Sequence, residues 1–290
     1  MPGIAEWPQI LVNGLISASV ITLIALGFTL IYGTVKFFHL AHGAVYTIGG
    51  YATYLFFNQH IPLLPSILLA MLICGLLGFL IETFFYRPLR NKNVHGLIYL
   101  IASMGLLILL QGIVSILFGG EIRSLVINPE VEAGLEFIGA IITKGQILIV
   151  ISAIVLTVLL LIFVKTSLGR EMRAFSDNKF LAEAIGIDTD KILVFTFIIG
   201  SALAGAAGGL ISLEKPLYPS MGFSALLYGV LACIVGGIGS IPGTIIGAIL
   251  LGMVESVGVT YIASEWKDTI ALAVLITILV IKPRGILGKT

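Results

Sequence analysis

Few residues in this chain have types and spacing that could do chemistry. His39 and His42 stand three apart in Phe38-His39-Leu40-Ala41-His42-Gly43, a spacing that puts two imidazoles on one helical face and could ligate a metal. The carboxylate of an HExxH site is missing, and no other group of ligand character lies close in sequence. Hydrogen-bonding histidines at a membrane interface are therefore expected. Glu82 and Glu255 fall at or near the ends of long apolar runs, where an acid is a candidate for touching substrate or carrying a proton; Arg87 stands near enough to Glu82 for an interfacial pair. Cys74 and Cys233 lie inside apolar runs and read as small buried hydrophobes, with Cys74 behaving as an ordinary apolar position. Two glycine-rich strings imitate nucleotide loops. Gly288-Lys289-Thr290 resembles the end of a Walker A loop, but Pro283 replaces its first glycine, and Gly237-Ile238-Gly239-Ser240-Ile241-Pro242-Gly243 misses GxGxxG by one position. With no plausible Ser/His/Asp set, carboxylate pair or CxxC, the chain shows no means of doing chemistry or harvesting ATP alone.

What positions these residues is a membrane. Of 290 residues, 58% are hydrophobic and only 11% charged, where a soluble domain carries roughly a quarter charged residues. That excludes a soluble enzyme and a disordered chain, and a net charge of +1 gives no basic footprint for nucleic acid. The apolar runs are continuous rather than alternating, which predicts an all-α, polytopic helical membrane protein with about 8–9 transmembrane helices rather than a barrel. Spans are expected at 9–35, 39–57, 63–85, 95–118, 145–164, 192–213, 224–238, 242–261 and 268–281. The seventh is short and glycine-rich, so both a full span and a half-span fit it. The run after residues 1–8 is too long for a signal-peptide core and is expected to stay as the first span.

Lys and Arg concentrate in cytoplasmic loops. With nine spans, one side receives Lys36, the clusters around Arg87, Arg90 and Lys92, the loop residues Lys165 to Lys191, and Lys282, Arg284 and Lys289. The other receives only Arg123, Lys144, Lys215 and Lys267, beside Glu6, Glu121, Glu130, Glu132 and Glu136. The amino terminus is thus expected outside and the carboxyl terminus in the cytoplasm. Two polar loops are long enough for structure of their own. The outer one, 119–144, is expected to form a cap or short hairpin. The inner one, 166–191, is expected to hold an amphipathic helix over 173–185, with Asp177 as a possible cap and Gly186 ending it. Within the spans, Ser201, Gly205 and Gly209, then Gly243 and Gly247, recur every four residues, as do Gly200, Ala204 and Gly208 and Thr244, Ala248 and Gly252. Small residues at that spacing let helix backbones approach closely.

Several strings together resemble the permeases of the branched-chain amino acid (Leu/Ile/Val) ABC importers, in particular the first of their two paralogous permease subunits. They are Tyr32-Gly33, Ala41-His42-Gly43 and Ile48-Gly49-Gly50-Tyr51; Tyr86-Arg87-Pro88-Leu89-Arg90; Leu168-Gly169-Arg170 with Ala184-Ile185-Gly186-Ile187; Gly236-Gly237-Ile238-Gly239-Ser240-Ile241-Pro242-Gly243; and Pro283-Arg284-Gly285-Ile286-Leu287-Gly288. They occur in order almost end to end. His39 departs from the Asn that the family commonly carries there, and Leu40 and Ala44 differ as well.

The resemblance implies one transmembrane permease domain over 1–290, a non-catalytic subunit in the bacterial inner membrane with a periplasmic loop at 119–144. Its partners would be a second paralogous permease, two cytoplasmic ATPases that bind ATP and Mg, and a periplasmic substrate-binding protein; the chain itself would carry no cofactor or metal. It implies that 166–191 contains the coupling helix, with Arg173, Asp177, Asn178, Leu181, Glu183, Ala184 and Gly186 facing the ATPase. Packing and gating are expected at Gly43, Gly205, Gly209, Gly237, Gly239, Gly243 and Gly247. Leucine, isoleucine or valine is the expected cargo, with urea, amides or aromatic acids as the alternative within the same class. Import by alternating access through a largely apolar cavity is the expected mechanism. A stand-alone secondary transporter is the rival from another class, and mid-span poverty of charge argues against it.

Overall fold

The structure, a computed structural model, describes residues 6–92, 94–125, 134–137, 139–262 and 264–288. Glu130, Glu132, Lys289 and Thr290 lie outside them. In chain order the helices are α1 (Trp7–Val35), α2 (His42–Asn58), α3 (Leu63–Asn91, with a π-helical turn at Ile81–Tyr86) and α4 (Gly96–Phe118). An antiparallel hairpin of β1 (Gly134–Phe137) and β2 (Ala140–Thr143) follows, and then α5 (Lys144–Phe163), α6 (Ser167–Asp177), α7 (Lys179–Ala184), α8 (Thr189–Ile211), α9 (Met221–Gly236), α10 (Ile241–Tyr261) and α11 (Lys267–Ile281).

Six of these, α1, α3, α4, α5, α8 and α10, are long and apolar enough to cross a membrane. Helix is what hydrocarbon demands, since every backbone N–H and C=O must be satisfied within the segment. α2, α9 and α11 coincide with the second, seventh and ninth expected runs and are shorter, at 17, 16 and 15 residues. Where the chain turns, polar side chains close the helix starts. Thr143 and Gln146 form a reciprocal capping box at α5, and Asp188 and Ser240 accept the backbone N–H of Lys191 and Gly243 to start α8 and α10.

α1 and α8 are the axis of the bundle. Both are apolar all round and buried along most of their length, as a helix without a polar face must be. α1 packs on α10, α8, α9 and α5, while α8 packs on α3, α2 and α1. α4, α5 and α11 lie outside and expose Leu, Ile and Val to the surroundings, with Ile116, Leu117 and Val280 among the most exposed.

Three expectations change. The second span starts at His42 rather than His39; residues 37–41 form a non-helical connection, and His39 and His42 are completely buried within the bundle. The inner loop is two helices, not one, because the chain extends at Asn178, whose side chain accepts the N–H of Leu181 at 3.0 Å and caps α7. Asp177 is the last residue of α6, and Gly186 follows α7 in a left-handed conformation.

Candidate functional site

The small-residue stripes bring backbones together at four seams. A Cβ added at Gly205 would stand 2.6 Å from the Cβ and 2.7 Å from the Sγ of Cys74 on α3. At Gly209 it would stand 2.5 Å from the hydroxyl of Thr53 on α2, and at Gly43 the same distance from the carbonyl oxygen of Gly222 on α9. At Gly243 and Gly247 it would strike the carbonyl oxygens of Gly236 and Ala232. Cys74 is therefore the partner of a stripe and not the unconstrained position the sequence suggests. Gly237 and Gly239 lie in the turn between α9 and α10 rather than on a helix face, both with positive φ. There Gly237 packs on Gly288, and Ile286 and Leu287 donate to the carbonyls of Val235 and Gly236 at 2.9 and 2.8 Å. Gly288, the first residue of one string that imitates a nucleotide loop, thus packs on Gly237, the first residue of the other.

The histidines belong to a buried polar cluster. His39 Nδ1 shares a hydrogen bond of 2.9 Å with the Tyr86 hydroxyl, and His42 Nε2 lies 3.2 Å from the carbonyl oxygen of Ile24, to which it donates. One nitrogen of each ring is engaged in this way, while His39 Nε2 and His42 Nδ1 are buried without a hydrogen-bond partner among the described residues. Glu82, fully buried in the π-turn, accepts from Arg90 at 2.6 Å rather than pairing with Arg87. Arg90 also reaches Asp190 at 2.9 Å, and Arg87 reaches the other oxygen of Asp190 at 2.5 Å. Because Asp190 is in the first turn of α8, this network joins the end of α3 to the exit of the α6–α7 loop.

That loop is anchored on one side and bare on the other. Met172, Phe175 and Ala182 are buried, and the Ser176 hydroxyl donates to the carbonyl of Gly33 at 2.5 Å, fixing α6 against the end of α1. Facing outward are Phe180, 77% exposed, Leu181, 58%, and Ile185, 76%. Glu183 and Ala184 are exposed beside them. Arg173 lies apart, lining a small cavity of about 60 Å³ with Thr34, Ser176 and Gly239. Phe180 and Ile185 were missed by sequence reading, although large apolar residues on a short helix between spans are the signal that marks them.

At the hairpin end a larger cavity of about 420 Å³ opens between α1, the α8–α9 connection, α10 and α11. On α1 it is lined by Ile16, Val20, Ile21 and Ile24 together with Asn13 and Ser17; Lys215, Glu255 and Lys267 also line it. Glu255 and Lys267 form an ion pair, and the Lys267 ammonium lies 5.0 Å above the centre of the Tyr228 ring. Enclosure by the cavity walls, and then the neighbouring Lys267 charge, hold the Lys215 amine below its ordinary pKa. The cavity thus combines aliphatic side chains with four charged ones, Glu214, Lys215, Glu255 and Lys267.

The sequence profile of the family described as branched-chain amino acid transport system/permease component matches residues 10–279. The chain belongs to this permease family. It is 35% identical to the high-affinity branched-chain amino acid transport system permease protein LivH of Salmonella typhimurium, over 97% of this chain and 95% of the relative. It is equally 35% identical to the corresponding permease protein BraD of Pseudomonas aeruginosa, over 100% of this chain and 98% of that one. In fold it is similar to a chain of PsaBC from Streptococcus pneumoniae in complex with Fab, with a TM-score of 0.53 at 16% identity, covering 94% of this chain and 91% of that chain. As a permease of this family the chain is a multi-pass membrane protein and the non-catalytic component of its transport system.

Proposed function

We propose that the chain is the translocating subunit of an ATP-driven importer of leucine, isoleucine or valine in the bacterial inner membrane. It works with a second, paralogous permease, two cytoplasmic ATPases and a periplasmic binding protein. The amino terminus and the 119–144 loop face the periplasm, and α6 and α7 face the cytoplasm. The observation that carries this reading is the exposed trio Phe180, Leu181 and Ile185 on a helix outside the spans. Exposed apolar side chains clustered on a short, anchored element mark a protein interface. The loop's scattered charges, Lys179 with Glu183 among them, give little electrostatic attraction to a lipid surface.

In this mechanism the ATPases, closing on ATP, move α6 and α7. The displacement passes through Ser176 and Gly33 into α1, and through Asp190 into α3 and α8. The glycine seams then re-pack so that the route through the bundle opens to the other side. Each step is a shift between two arrangements that ATP binding must favour unequally.

Co-purification tests the docking role. Phe180→Asp, and Ala182→Pro, which removes the N–H that Ala182 donates to Asn178 at a cost of about 3 kcal/mol, are expected to leave the chain in the membrane without its ATPases; Arg173→Glu is expected to stop transport. ATPases retained in full by both the Phe180 and Ala182 variants would refute docking on α7.

A further inference from the structure

The cavity at the hairpin end carries more charge than the packing of the bundle needs. Lys267 is already satisfied: it pairs with Glu255, rests over Tyr228, and Tyr228 is itself held by a 2.8 Å hydrogen bond from its hydroxyl to Asp268. That arrangement clamps α10, α9 and α11 together and is complete without a second amine. Yet Lys215 lines the same cavity, close enough to Lys267 for that neighbour to disfavour the charge of Lys215, and it forms no ion pair among the described residues. Two ammonium groups turned toward one another are an unfavourable arrangement that an anion between them would relieve. Glu255 beside them, and Glu214 at the rim, would repel a ligand with only negative charge. The chemistry that fits both sides is a small molecule with one charge of each sign. On α1, Ile16, Val20, Ile21 and Ile24 offer four aliphatic side chains to the cavity, with Asn13 and Ser17 beside them, and the volume of about 420 Å³ falls in the range of small-molecule sites.

We propose that this cavity binds the zwitterionic head of an α-amino acid, with its carboxylate between Lys215 and Lys267, its ammonium at Glu255, and an aliphatic side chain against the α1 wall. The permease then recognises its cargo directly, after the binding protein has released it. The proposal rests on the importer reading for the choice of leucine as the probe and for equating the bound molecule with the cargo.

The test uses the intact complex in membrane vesicles, with Ser224→Cys on one wall of the cavity as reporter and Thr260→Cys as a second reporter should the first fail to assemble. The native cysteines, Cys74 and Cys233, are buried. A membrane-impermeant maleimide labels the reporter with and without millimolar leucine, leucinamide (no carboxylate) or 4-methylpentanoate (no ammonium). Leucine is expected to protect, and the other two are not. Lys215→Met is expected to weaken protection about tenfold in leucine concentration, the loss of one charge-assisted hydrogen bond, while Lys215→Arg retains it. Equal protection by the amide or the acid, protection that survives Lys215→Met, or no protection by leucine overturns the site. Leucine uptake by the complex without protection removes this site and leaves the importer reading intact. Protection without branched-chain uptake keeps the site and removes the substrate reading.

Discussion

The seam between α3 and α8 makes a quantitative prediction. A Cβ at Gly205 would lie 2.6 Å from that of Cys74, about 0.8 Å short of the 3.4 Å at which ordinary contact begins. Both positions are fully buried and Cys74 is backed by the carbonyl of Val45 at 3.5 Å, so neither side chain can swing clear and the two helices must part. Overpacking of this kind costs about 1–3 kcal/mol, or a fall of roughly 2–4 °C in thermal midpoint per kcal/mol in chains approaching this size. Cys74→Gly removes the opposing atoms at the cost of a glycine in a helix, about 1 kcal/mol. Gly205→Ala and Cys74→Gly should each lower the midpoint of the purified complex, and the double variant should fall by less than the sum, with a coupling of about 1 kcal/mol or more. Cys74→Leu should be as damaging as Gly205→Leu. Additive effects in the double variant, or normal uptake by Cys74→Leu, would show that the two helices are not in close contact and that the glycine stripes are tolerated rather than required.

Arg90→Met strands Glu82 in the bundle and should reduce the folded yield in membranes sharply, a loss of about 3–5 kcal/mol. Arg87→Met, which loses a half-exposed pair, should cost about 1 kcal/mol or less. Equal yields would contradict the burial of Glu82. For topology, a cysteine at Glu121 should react with an impermeant reagent only from outside and one at Asp188 only from inside; labelling of both from one side would end the proposed orientation. Truncation after Lys282 removes the tail that packs on Gly237 and should lower the thermal midpoint, whereas an unchanged midpoint would mean the clasp contributes nothing.

The positions of the apolar runs were legible because hydrocarbon imposes one rule on every span; boundaries shifted by only a few residues, as with 192–213 against Thr189–Ile211. The break in the inner loop was not legible: Ser176, Asp177 and Asn178 are all cap formers, and the choice of Asn178 depends on Ser176 being taken by Gly33 on α1. The partner of Glu82 was misplaced because the π-turn at Ile81–Tyr86 shifts the following residues around the helix, presenting Arg90 rather than Arg87. Cys74 looked unconstrained because a stripe shows only its own side in sequence. The charged cavity escaped notice because Lys215, Glu255 and Lys267 stand in three separate segments, each read singly as a loop or interfacial charge.

The central claim, that this chain moves branched-chain amino acids only as part of an ATP-driven assembly, is tested most directly by uptake of labelled leucine into proteoliposomes. The complete complex, supplied with ATP and binding protein, should accumulate leucine, while the chain alone should not. Leucine uptake by the lone chain, or none by the complete complex with ATP and binding protein present, would contradict it.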